Sequence, residues 1–297
     1  MKVGMTLPSM VHCSQYSRNT TLDWCRLIDQ GPFESISCGE RHTYHNQDIT
    51  VLLSAAAALT ERAKIYSTIY IAPSHPTAVL AKQMATLDVL SDGRLTVGLG
   101  VGGREHDYQA AEKPFKRRYA RMEEQVVELR KLWAGERPFD GADPVGPEPV
   151  QAGGPPLFAG VAGPKSLARA AQWADGLFTH NTVNRDYEQF GDYAAQVNQL
   201  WQQAGRSKPY ITSCFWYALG PGSKSQLEDY IRSYMQVLGP QAIDYALAHQ
   251  RVYDEASLHD ALSAFAGQGC DEIILVPSSA DLAELDRTAE ALVRWSA

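Results

Sequence analysis

A (β/α)8 barrel is the fold this sequence predicts, and three observations predict it. Strand-like and helix-like segments alternate from end to end of the 297 residues, the pattern of a parallel sheet covered by helices. Eight such units can be traced, enough to close a barrel. Hydrophobic residues at 44% and charged residues at 21% suit a globular chain of this length built around one large core. The expectation is one TIM-barrel domain over residues 1–297 of the α/β class. It carries an inserted Pro/Gly-rich loop after the fourth helix and a helical insertion before strand eight.

Lys2 to Leu7 reads as the first strand, stopped by Pro8. Asn19 can cap a helix from Thr20 to Gln30, which Gly31 and Pro32 close. Glu34 to Cys38 is the second strand, and Asp48 caps the helix that contains Ala55 to Leu59. Lys64 to Ile71, rich in Ile, Tyr and Thr, is the third strand. Pro76 suits the first turn of the next helix, with Leu80, Met84, Leu87 and Leu90 at helical spacing and Gly93 at its end. Leu95 to Leu99 is strand four. Tyr119, Met122, Val126, Leu129 and Trp133 mark one face of a long helix that begins near Pro114.

Between Gly135 and Pro156 lie six prolines and five glycines, which exclude extended regular structure. The alternation resumes afterwards, so this stretch reads as an inserted loop and not as a domain linker. Leu157 to Gly160 is strand five, Lys165 to Ala174 a helix, Gly176 to Thr179 strand six and Asp186 to Ala204 a helix. Tyr210 to Leu219 is strand seven and Ser223 to Ala266 is mostly helical. Glu272 to Val276 is strand eight and Ala280 to Trp295 the last helix.

A net charge of −7 argues against nucleic acid as a partner. The basic run Lys116, Arg117, Arg118 and Arg121 sits among Glu123, Glu124 and Glu128 and reads as a solvated helix face. Cys13, Cys25, Cys38, Cys214 and Cys270 are scattered with no CxxC pair, which fits a reduced, cytoplasmic setting. The first residues lack the basic and apolar regions of a signal peptide, and no apolar run is long enough to span a bilayer.

In such barrels chemistry belongs to the loops after the strands. The loop Gly160-Val161-Ala162-Gly163-Pro164-Lys165-Ser166 opens a helix, and its small residues would let backbone amides approach an anion. A tight turn whose glycines serve only geometry is the plain alternative. Val97-Gly98-Leu99-Gly100-Val101-Gly102-Gly103 is a weak dinucleotide fingerprint, because no helix follows at once. Glycines at a barrel rim instead leave room for a flat ring.

His42 and His45, three residues apart, could with His106 hold a metal, but strand one ends Thr6-Leu7-Pro8 and no acidic residue falls at a matching strand end. No metal is therefore expected. No GxSxG occurs. Taken singly, His75 could cap a helix and Glu40 could pair with Arg41.

One constellation is specific. Leu59-Thr60-Glu61-Arg62, His75-Pro76, Ala81-Lys82-Gln83, Leu87-Asp88, Ser91-Asp92-Gly93-Arg94 and Val97-Gly98-Leu99-Gly100 occur in this order. Arg118, Glu124, Leu132-Trp133, Gly163-Pro164, Ala174-Asp175-Gly176 and Ile274 to Pro277 follow. The chain thereby resembles the luciferase-like monooxygenase family over most of its length, least from Ala218 to Gln250.

The resemblance implies coenzyme F420, or alternatively FMN, over the strand ends. It implies that Ala162, Gly163, Pro164 and Lys165 meet the cofactor phosphate and that Gly98, Gly100 and Val101 flank the ring. Leu7, Ser67, Thr68 and Gly160 complete the expected cofactor contacts, with a non-proline cis peptide expected at Ser67-Thr68, give or take one residue. Where family members place a histidine after an acidic residue, this chain reads Glu40-Arg41-His42, and these three are the catalytic candidates. His12, His106 and Tyr108 are the candidates for the substrate pocket.

The implied activity is hydride transfer to or from a small organic substrate. The alternatives are a two-component monooxygenase using reduced FMN from a separate reductase, and a cofactor-binding barrel without catalysis. Members commonly form homodimers, so a homodimer is expected.

Overall fold

The computed structural model describes residues 1–161, 163–180 and 189–296. Eight parallel strands close in sequence order: β1 (Lys2–Thr6), β2 (Ser35–Cys38), β3 (Lys64–Ile71), β4 (Leu95–Gly100), β5 (Leu157–Gly160), β6 (Gly176–His180), β7 (Tyr210–Tyr217) and β8 (Glu272–Pro277). β8 pairs with β1 at Val3↔Ile273 and closes the ring. Around it run α1 (Arg18–Gln30), α2 (Ile49–Leu59), α3 (Thr77–Leu90), α4 (Glu105–Ala110), α5 (Arg118–Trp133), α6 (Pro164–Ala170) and α7 (Phe190–Gln203). The outer layer ends with α8 (Ser223–Met235), α9 (Pro240–His249), α10 (Glu255–Gly267) and α11 (Leu282–Ser296). The expected barrel is present, and α8 to α10 form the helical insertion before the last strand.

Several local expectations are corrected. The cap of α1 is Ser17, not Asn19: Ser17 and Thr20 bond reciprocally as a capping box, so the helix starts two residues before Thr20. Asp48 caps α2 as expected, accepting from Val51 N. Pro76 is itself the N-cap of α3. α6 stops at Ala170, short of Ala174. A short helix, α4, occupies part of the stretch expected to be irregular before Pro114. The expected helix start at Asp186 lies outside the described residues, and α7 is described from Phe190.

The Pro/Gly-rich insertion is pinned to the barrel at its base. Gln151 donates its amide N–H and its side-chain nitrogen to the buried Asp88 carboxylate, at 3.0 and 2.7 Å, and also reaches Leu95 O. Arg94, of the Ser91-Asp92-Gly93-Arg94 motif, donates to Thr60 Oγ1 and to the carbonyls of Ser91, Ala57, Thr60 and Ala63. It ties the end of α2 to the start of β4. Asp92 and Gly93 make the turn with φ of 53° and 75°, a conformation glycine adopts at no steric cost. Much of the family-specific constellation is thus scaffold at the end of the barrel opposite the rim.

Outside the barrel, three buried tryptophans fix helices through indole hydrogen bonds. Trp24 reaches Ala280 O, Trp133 reaches Ala81 O and Trp201 reaches Ala174 O, at 3.0–3.1 Å. Each combines a large apolar surface with a satisfied donor.

Inside the barrel, at the amino end of β8, sits the fully buried Glu272. It accepts from Ser35 Oγ at 2.5 Å and from the hydroxyls of Tyr66 and Tyr210 at 3.0 Å each. A Cβ on Gly4 would overlap Ser35 Oγ, so glycine there makes room for this cluster. Burial pushes the Glu272 carboxyl above its ordinary value of 4.5, against the opposing pull of the three hydroxyl donors and Lys64.

Two outcomes are expected. Glu272→Ala leaves three buried hydroxyls without their acceptor and should lower stability by about 2–4 kcal/mol in urea unfolding. A carboxyl whose native pKa is raised binds protons more tightly folded than unfolded. Wild type should therefore gain stability relative to Glu272→Gln as pH falls from the raised native value towards 4.5. A pH-independent difference between the two would contradict this assignment.

Candidate active site

The carboxyl ends of the strands surround a cavity of about 310 Å³, within the range of small-ligand sites. Thr6, Ile69, Gly160, Phe178, Ser213 and Ile274 line its depth, and Met10, Trp216, Tyr230 and Tyr234 its outer part. No charged residue lines it among the described residues. Two potential anions in the wall stay neutral: burial pushes the Cys214 thiol up to about 12 and the Tyr230 hydroxyl well above its ordinary range.

β3 shapes one side. Its register against β4 shifts between Ser67 and Tyr70, and the Thr68–Ile69 peptide is cis. This lies within one residue of the expected place. The bulge sends the Ile69 side chain across the rim: a Cβ on Gly100 would lie 2.7 Å from Ile69 Cδ1, and one on Gly160 2.8 Å from Ile69 Cγ2. A Cβ on Gly98 would overlap Ser67 O and meet Phe178 at 2.7 Å. These glycines make room for protein side chains, and Ile69 is the surface that faces the cavity.

The other expected cofactor residues are distributed as follows. Thr68 and Gly160 line the cavity. Ser67 Oγ is taken up between Gly98 N and Gly98 O. Leu7 is buried and pairs through its amide with Ser37 O. Val101 is half-buried, and its carbonyl accepts from Tyr108. Gly163, Pro164 and Lys165 form the exposed start of α6, which no side chain caps. Ala162 lies outside the described residues.

The catalytic candidates come together with a partner the sequence did not reveal. Glu40 does not pair with Arg41. Its carboxylate accepts from His75 Nε2 at 2.9 and 3.1 Å and from Ile71 N at 2.6 Å. His75 therefore serves Glu40 and does not cap α3, whose cap carries no side-chain bond. Ser74 Oγ donates to Ile71 O at 2.6 Å and lies 2.7 Å from His42 Nε2. With the Ser74 proton committed, His42 Nε2 must donate, which leaves Nδ1 as its basic nitrogen.

Asp107 holds the same loop, accepting from His42 N, Thr43 N and Thr43 Oγ1. Of this loop, Gly39 lines the cavity, while Arg41 reaches its rim by stacking on Tyr234 at 3.6 Å. Glu40, His42 and His75 offer ligand atoms within 4.8 Å of one another. That set differs from the His42, His45 and His106 considered from sequence, and its two Nε2 atoms and carboxylate oxygens are engaged in the bonds just described.

The three substrate-pocket candidates do not line the cavity. His12 is exposed and caps the turn Cys13–Gln15, His106 is exposed on α4, and Tyr108 is buried with its hydroxyl on Val101 O at 2.5 Å. The residues missed carried a readable signal. Thr212, Cys214 and Trp216 on β7, and Ile274 and Val276 on β8, recur every second position and so point inward together.

At pH 8 a thiol titrating at about 12 holds about a thousandth of the thiolate of an ordinary cysteine. Iodoacetamide should therefore label the exposed Cys13 first and Cys214 about a thousandfold more slowly, as mapped by peptide mass spectrometry. Equal labelling would contradict a dry, neutral cavity wall.

The sequence model of the luciferase-like monooxygenases matches residues 1–289. The F420-dependent hydroxymycolic acid dehydrogenase of Mycobacterium tuberculosis is 32% identical over 139 residues, 44% of this chain and 37% of that protein. The pyrimidine monooxygenase RutA of Escherichia coli is 31% identical over 176 residues, 54% of this chain and 45% of that protein. The chain thus spans about half the length, or less, of these relatives. The crystal structure of monooxygenase RslO1 from Streptomyces bottropensis superposes with a TM-score of 0.82 at 21% identity over the whole of both chains, a likeness of fold.

Proposed function

The chain belongs to the luciferase-like monooxygenase family, and we propose that it is an oxidoreductase working with coenzyme F420 on a small organic substrate. The observation that carries this reading is the neutral, aromatic-lined cavity at the barrel rim, backed by Ile69 and adjoining the uncapped start of α6. The residues fit such a cofactor. Ile69 offers an apolar wall, and Gly163 to Lys165 an exposed helix start for a phosphate. When bound, the cofactor supplies or accepts the hydride.

The chain's own residues orient and exclude water. The neutral walls keep the chamber dry. His42, oriented by Ser74 and by its amide bond to Asp107, is the candidate to move a proton through Nδ1. Arg41 cannot act as an acid at neutral pH, and its role is electrostatic. Glu40 and His75 position the loop that carries both.

The preference for the deazaflavin rests on the sequence motifs Ala162-Gly163-Pro164 and Ala174-Asp175-Gly176, together with the similarity to an F420-dependent dehydrogenase. A second reading, reduced FMN delivered by a separate reductase to a monooxygenase, is favoured by the similarity to RutA over a longer stretch.

Anaerobic titration separates the two. Difference spectra should show tighter binding of F420 than of FMN, with substrate-dependent change of its absorbance in the absence of oxygen. Binding of FMN alone, with product formed only when oxygen is admitted, would establish the second reading instead. His42→Ala should lower turnover by about a hundredfold or more while leaving cofactor affinity unchanged. Unchanged turnover would remove His42 from the chemistry.

A further inference from the structure

Two arginines at the cavity mouth have no role in the scheme above beyond a general field. The Arg41 guanidinium lies over the Tyr234 ring at 3.6 Å and 4.7 Å from the centre of Tyr44. Among the described residues, no oxygen accepts a hydrogen bond from it. Arg104, in the loop after β4, lies 5.8 Å from the same Tyr44 ring and donates through Nη2 to Thr43 O at 2.8 Å. Its side chain is 13% exposed, and its Nε and Nη1 are buried with no acceptor among the described residues.

Asp107 does not satisfy Arg104. The nearer carboxylate oxygen lies 3.7 Å from Nη1, beyond hydrogen-bond range. That oxygen already accepts three bonds from His42 and Thr43. Burial pulls the Arg104 pKa down, Asp107 pulls it up and Arg41 adds a smaller downward pull. The Glu40 carboxylate is turned to His75 and Ile71, and among the described residues Asp107 is the carboxylate that pairs with Arg104.

The buried Nε and Nη1 of Arg104 are costly to leave without acceptors, and the guanidinium of Arg41, with no hydrogen bond among the described residues, offers a fork that matches the paired oxygens of a carboxylate. Behind the aromatic pair Tyr44 and Tyr234, the chamber walls are uncharged: Met10, Trp216, Tyr230 and Ile274. A ligand complementary to both parts is an apolar organic acid.

We propose that Arg41 and Arg104 form an anion subsite that holds the carboxylate of the substrate at the cavity mouth while its apolar body extends inward past Tyr234. This rests on the reading of the cavity as the reaction chamber, and it makes the substrate class an amphipathic carboxylic acid.

The test uses the full chain without cofactor and hexanoate, hexanamide and hexanol as probes, by calorimetry at fixed ionic strength. Hexanoate should bind saturably and at least about tenfold more tightly than the two neutral probes. Arg41→Ala and Arg104→Ala should each weaken hexanoate by about ten- to hundredfold and leave hexanol unaffected. Arg41→Ala breaks no hydrogen bond among the described residues, and Arg41→Gln, which keeps a polar side chain over Tyr234 but no charge, should weaken hexanoate in the same way. Arg104→Lys, which keeps a cation but loses the fork, should bind hexanoate more weakly than wild type.

Equal binding of hexanoate and hexanamide, or wild-type hexanoate affinity in the double variant, would overturn the proposal. So would a loss of F420 or FMN affinity in the variants with no hexanoate binding in wild type, which would assign the arginines to the cofactor. Hexanoate discrimination in a chain that binds neither cofactor would support the subsite and defeat the redox reading separately.

Discussion

The turn that follows β3 governs both halves of the site. Upstream of it, the bulge at Thr68–Ile69 lays the Ile69 side chain over Gly100 and Gly160 and so forms one wall of the chamber. Within it, the two polar groups of the Ile71 backbone are both taken by the supports of the loop that carries Glu40 and His42. Its N–H goes to Glu40 and its carbonyl receives the Ser74 proton, which in turn orients His42. One backbone unit therefore couples the shape of the cavity to the placement of the loop beside it. Unsatisfied, either group would carry the desolvation cost of a buried polar atom, so the geometry is held from both sides.

Electrostatically the site is divided. The chamber is neutral because burial keeps Cys214 and Tyr230 protonated, whereas the mouth carries Arg41 and Arg104 against Asp107. A neutral interior strengthens any polar contact made inside it, and a cationic mouth selects what enters. The buried Glu272 lies at the opposite, amino-terminal end of the strands, held by hydroxyls that belong to the barrel's own packing.

The barrel was legible because its signals are local. Strand and helix periods alternate, Asp48 stands where a cap belongs, and Pro/Gly density marks the insertion. Helix ends were less so: Ser17 and Asn19 are equally competent caps, and Ser17 prevails only because Thr20 completes the reciprocal bond. α4, with six residues and Glu105, His106 and Asp107 in its first turn, has no apolar period to read.

In the site, the rim loops and the bulge were anticipated, but the pairing of Glu40 with His75 spans 35 residues and depends on how β2 and β3 are staggered. From sequence, Gly98 and Gly100 read as space for a ring and Gly160 as a further cofactor contact. In fact each faces a protein side chain or carbonyl, a distinction that only the register of β3 reveals. Strict alternation along β7 and β8 would have identified the inward residues.

The central claim is that Ile69 and the start of α6 together receive a flat redox cofactor at the barrel rim. A crystal structure of the protein with F420, and another with FMN, tests it most directly. The account predicts a ring lying against Ile69 inside the cavity and a phosphate at Gly163 to Lys165. A ring seated elsewhere, or a phosphate held away from α6, would contradict it.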